Sequence, residues 1–139
     1  MKRKFSRAIW LCCLCVLAAG CSESYEEPTF SQALTGKLLK GGQPLALDKT
    51  ELGDYARIEL SFVPVDGGSA WDAPVAEDGS FELELPEGES LSGKYKVVVF
   101  HYADGEEDAL GGKFDEANSP VVVELPQENL TIDLDKPQG

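Results

Sequence analysis

Phe81, Leu83 and Leu85 alternate with Glu82 and Glu84, and this repeat of two constrains the fold of the chain more than anything else in it. A strand sends successive side chains to opposite faces, so such a run buries one face and wets the other. The pattern recurs. Ile58, Leu60 and Phe62 alternate with Glu59 and Ser61 until Pro64 ends or kinks the run. Leu34 to Leu39 opens the series, and Lys40-Gly41-Gly42-Gln43-Pro44 turns it back through Leu45 and Leu47. Tyr95 to His101 is apolar on both faces, Val97 and Val99 against Val98 and Phe100, which predicts a central strand. Val121 to Leu125 follows, and then Leu130, Ile132 and Leu134 point inward in the last segment. No helical periodicity of useful length intervenes, and turn signals recur about every eight to twelve residues. The expectation is an all-β chain of about seven short strands, folded as an antiparallel β-sandwich.

The N-terminus sets the compartment. Lys2, Arg3, Lys4 and Arg7 precede an apolar run from Ala8, and Leu17-Ala18-Ala19-Gly20-Cys21 closes it. A basic start, a short apolar core and small residues at the end are the layout of a secretory signal peptide. The apolar stretch is shorter than the roughly 20 residues of a spanning helix. The sequence before Cys21 resembles a bacterial lipobox, in which the cysteine is lipidated and becomes the first residue after cleavage. Residues 1–20 are therefore expected to be a cleaved lipoprotein signal, and the pair Cys12 and Cys15 to leave with it rather than bind metal. Residues 21–32 read as an acidic, proline-broken tether. Fully extended, it reaches about 35 Å from the membrane. Residues 33–139 are the exported domain, anchored to the cell membrane or the outer membrane.

Export changes the charge. The signal holds four of the twelve basic residues and none of the 25 acidic ones, which leaves eight against 25 and a formal charge of −17. That balance argues against nucleic acid and against docking on anionic lipid. Cys21 is the last cysteine in the chain, so no disulfide forms within the exported part, and stability rests on the apolar core.

Several segments carry a resemblance. Thr35-Gly36-Lys37-Leu38 followed by Gly41-Gly42-Gln43-Pro44-Leu45 resembles the opening of carboxypeptidase regulatory-like domains. Ile58 to Pro64 is similar to their second long strand, and Glu77-Asp78-Gly79-Ser80-Phe81 to their D-G-x-F hairpin, where Asp78-Gly79 makes the tight turn. Gly93-Lys94-Tyr95-Lys96-Val97-Val98-Val99 is similar to their G-x-Y-x-V-x-V strand. The tail from Gly112 to Leu134 is similar to small bacterial lipoproteins of this group. The resemblance covers about residues 34 to 135 and implies a seven-stranded Greek-key sandwich of the transthyretin-like (prealbumin-type) kind. It also implies a structural, adhesive or spacer module rather than a peptidase. Two catalytic relatives do not fit. Hydroxyisourate hydrolases need several histidines and a terminal Tyr-Arg-Gly-Ser, and intradiol dioxygenases hold iron with two Tyr and two His; this chain has one histidine and ends Lys136-Pro137-Gln138-Gly139.

Other chemistry is thin. With one histidine and no free thiol, neither a hydrolytic triad nor a usual zinc site can be assembled. His101 continues the alternation of Tyr95, Val97 and Val99, and reads as structural or surface rather than catalytic. Two constellations remain. Asp104-Gly105-Glu106-Glu107-Asp108 clusters hard oxygen ligands around a glycine, which suits calcium, with Asp115 and Glu116 as further ligands. The spacing is not that of an EF-hand, and like-charged loop blocks are usually just solvated. Trp71, in the loop-like Gly67 to Pro74, either stacks on a sugar or a protein partner or covers the sandwich edge, and the second reading is favoured. The sequence thus leads to a non-enzymatic, lipid-anchored envelope module without a required cofactor. Its partner is an envelope protein or cell-wall polymer, with a glycan- or calcium-binding module as the alternative. Outward Glu82 and Glu84 favour a monomer, because charges blunt an exposed sheet edge.

Overall fold

The computed structural model describes residues 29–47, 56–103 and 106–136. The expected signal peptide, Cys21, most of the expected tether and Asp104 lie outside these residues.

Alternating apolar residues make two sheets that face each other. The strands are β1 (Phe30–Lys40), β2 (Gln43–Pro44), β3 (Arg57–Pro64), β4 (Trp71–Pro74), β5 (Ser80–Pro86), β6 (Gly93–Tyr102), β7 (Val122–Leu125) and β8 (Leu130–Asp133). No helix occurs among the described residues. In the first sheet β1 pairs with β5 and β2, and β8 also pairs with β1. The second sheet runs β4-β3-β6-β7. Leu34, Leu38, Phe81, Leu83, Leu85, Leu130 and Ile132 meet Ile58, Leu60, Phe62, Tyr95, Val97, Val99, Val123 and Leu125 in one buried core. Phe62 and Phe81 touch across it, ring centroids 5.9 Å apart and tilted by 51°, a geometry that suits the aromatic quadrupole.

The β-sandwich and all-β class agree with the alternation, and three details differ. Among the described residues there are eight strands rather than seven. Trp71 to Pro74, read as loop, is strand β4, paired antiparallel with Phe62 to Glu59. One pairing is parallel, Gly36 to Leu39 beside Leu130 to Asp133; the remaining strand pairings are antiparallel. In addition, Phe30 to Gln32, placed in the tether by the sequence, pair in β1 with Pro86, Leu85 and Glu84. The register with β5 then shifts between Gln32 and Leu34, leaving Ala33 as the extra residue of a bulge.

β6 is interior to its sheet, between β3 and β7, as its two apolar faces predict. β7 is short, and the chain before it completes the edge. Val97 N donates to Val121 O (2.9 Å), Val99 N to Phe114 O (2.9 Å), and Ala109 N to His101 O (2.7 Å). Leu110, Phe114 and Val121 are buried in the core, so this loop packs as well as pairs.

Candidate functional site

The β6–β7 loop is built around Asp108. Gly111 and Gly112 both take left-handed backbone angles (φ 63° and 71°), which turn the chain back on itself. That reversal aims several backbone donors at one carboxylate. His101 N (2.9 Å) and Leu110 N (3.0 Å) donate to Oδ1, and Gly112 N (2.8 Å) donates to Oδ2. Burial pushes the Asp108 carboxyl up, but the three N–H donors and the nearby His101 outweigh it, and the net shift is downward. His101 lies on the inward face of β6, opposite Ile58. Burial and then Lys40 hold its imidazole below the ordinary histidine value, against the pull of Asp108.

The rest of the loop is similarly self-contained. Asp115 accepts Asn118 N (2.7 Å) and Asn118 Nδ2 (2.9 Å), and the amide also donates to Gly112 O (3.2 Å). Lys96 Nζ donates to the main-chain oxygen of Glu116 (2.9 Å). Glu106 is exposed. Of the candidate calcium ligands, then, Asp108 and Asp115 have their carboxylates turned onto the protein's own donors, and Asp104 lies outside the described residues. Among the described residues, no group of three or more His, Cys, Asp or Glu is placed to hold a metal ion.

Trp71 is half-buried and packs against the core. Its partner in register is Phe62, whose side chain points inward, so the indole closes the sandwich at the β4 edge. Trp71→Ala is expected to cost about 2 kcal/mol in a urea denaturation curve, below the range for a fully buried tryptophan. A change within about 0.5 kcal/mol, the usual span for surface substitutions, would mean the indole does not support the core.

Two surfaces were not singled out from the sequence. On the outer face of β3 and β6, Phe100 and Tyr102 stack with centroids 6.1 Å apart, and Arg57 lies 4.1 Å over the Tyr102 ring while its Nε donates to Glu59 (2.8 Å). On the outer face of the first sheet, a groove of about 670 Å³ crosses β8, β1 and β5. Its polar lining is Thr35, Lys37, Ser80, Glu82, Asn129 and Thr131. Alternation alone marks the strand residues of this groove as outward. It carries no signal that three strands so far apart in sequence lie side by side.

No family model matches the sequence, nor does any curated protein. Among solved structures, the chain is similar to a DUF3823 family protein from Parabacteroides merdae, with 19% identity and a TM-score of 0.39. The match covers 77% of this chain and 46% of that one, so this chain spans less than half of that protein's length. At this level the likeness carries no argument about function.

Proposed function

We propose that the chain is an exported lipoprotein, held to a bacterial membrane through Cys21. On this reading its sandwich is a non-enzymatic module for protein interaction or structural support at the cell envelope. The observation that carries the reading is how the polar side chains are used. Asp108 gathers three backbone N–H groups, and Asp133 takes those of Gly42 and Asp135. Asp78 takes the N–H and hydroxyl of Ser80, and Ser119 donates to Val97 O. The side chains best suited to chemistry instead fix loops, and a rigid scaffold on a short tether suits the presentation of a surface.

The strand order supports a finer assignment. β5-β1-β8 packs against β4-β3-β6-β7 with β1 and β8 parallel, an arrangement in keeping with the transthyretin-like Greek-key group and with the carboxypeptidase regulatory-like domains the sequence resembles. In this assignment the two-residue β2 is an extension of the β1 turn, and seven strands remain.

Labelling with an alkyne palmitate, followed by in-cell crosslinking, tests both halves of the proposal. Cys21→Ser is expected to abolish the label, because Cys21 is the cysteine the lipobox-like segment presents for lipidation. A serine variant that keeps the label would rule out lipidation at Cys21. If the labelled wild type crosslinks only to itself, interaction with another envelope protein is wrong and a structural role stands.

A further inference from the structure

We propose that the groove across the first sheet binds a neutral oligosaccharide. Its volume of about 670 Å³ lies within the roughly 300–1,000 Å³ of ordinary ligand sites. Register places its groups on one face: Thr35 opposite Glu82, and Lys37 opposite both Ser80 and Thr131. The Thr35 hydroxyl and the Asn129 amide at one end can each donate and accept, while Ser80, whose hydroxyl donates to Asp78, offers its oxygen as an acceptor. Such groups match a ligand dense in hydroxyls. Pro74, Val75 and Ala76 form an apolar wall, against which the C–H face of a sugar ring can lie.

Charge and backbone narrow the class further. One lysine and one glutamate line the groove, which leaves it close to neutral on a strongly acidic chain. A phosphate or carboxylate ligand would lack the cationic partners it needs. A peptide strand cannot add to β1 along the middle of the groove, because β1 is paired at Gly36 and Lys37 on both sides, with Phe81 and Ser80 and with Leu130 and Thr131. The floor is made by Gly36 and Phe81, and the Phe81 ring turns into the core, where Gly36 leaves room for it. Thr35, Ser80 and Thr131 are short outward residues beside that floor, so the groove stays open between the longer Lys37 and Glu82. This inference rests on the sandwich and not on the lipid anchor, so the outcome at Cys21 leaves it untouched.

The test is amide NMR on the full chain in detergent, titrated with maltotriose, cellotriose and triacetylchitotriose. At least one trisaccharide is expected to shift the amides of Thr35, Lys37, Ser80 and Thr131, with a dissociation constant of about 1 mM. Thr35→Arg fills the groove from an outward position, and should weaken binding about tenfold or more without moving the melting curve. Thr131→Arg does the same from β8 should the first variant fold poorly. No shift at these amides with any of the three sugars up to about 20 mM, a limit near 2.3 kcal/mol of binding, would overturn the proposal. So would shifts centred on Trp71 or on Phe100 and Tyr102, unchanged binding in a folded arginine variant, or preference for an anionic trisaccharide or a peptide.

Discussion

Gly36→Ala is expected to be among the most damaging single substitutions in the domain, costing about 3 kcal/mol or more. A Cβ built at Gly36 would stand 2.1 Å from the carbonyl oxygen of Leu130, and 2.4 and 2.8 Å from Cζ and Cε1 of Phe81. No real Cβ approaches other atoms so closely, so either β8 or the Phe81 ring must move. Neither does so easily. The Leu130 oxygen is backbone of the strand that β1 pairs with in parallel, and Phe81 is buried against Phe62. The measurement is chemical denaturation followed by circular dichroism, with the midpoint falling at an unchanged slope. Phe81→Leu on top of Gly36→Ala should recover only part of the loss, because the carbonyl contact is untouched. Gly42→Ala is the control. Nothing lies within 4 Å of its Cβ, so only its left-handed backbone (φ 76°) resists the change, at about 1 kcal/mol. If Gly36→Ala costs no more than Gly42→Ala, the close approach of β1, β8 and Phe81 is not as described.

That contrast shows what the sequence could and could not reveal. Residues 58–62 and 81–85 alternate without interruption, and both runs became strands with the expected face inward. Tyr95 to His101 announced an interior strand because solvent meets neither of its faces freely. β4 stayed hidden. Its four residues end in proline and follow Gly67-Gly68-Ser69, so local turn signals outweighed a strand that exists only through its pairing with β3. The parallel β1–β8 contact joins residues more than ninety apart, and no local pattern encodes such a neighbour. The groove at Thr35, Ser80 and Thr131 was illegible for the same reason.

Asp108 was picked out from the sequence for its carboxylate, but its orientation depends on Gly111 and Gly112 reversing the chain. An aspartate shortly before paired glycines is a turn signal as much as a ligand signal, and the structure sets the backbone donors on it. Asp108→Ala is accordingly expected to cost about 3 kcal/mol, because three backbone N–H groups at a part-buried site lose their acceptor together. The loss should be local first. Amide exchange should quicken at His101, Leu110 and Gly112 before it does in β3 or β5, since the carboxylate holds the loop that covers the β6 edge. Asp108→Asn keeps an acceptor at one oxygen and puts an amide N–H₂ where the other stood, so it should fall between alanine and wild type.

The pH dependence follows from the same bonds. The folded carboxyl titrates below its unfolded value, so its contribution is complete above the unfolded range near pH 4 and is lost as pH falls through the lower, folded value. Wild type and Asp108→Asn should therefore converge in stability as pH falls below about 4, and their difference should level off only above the range in which His101, coupled to Asp108, titrates. A difference that instead grew toward low pH would mean that the carboxylate is not what the three N–H groups hold.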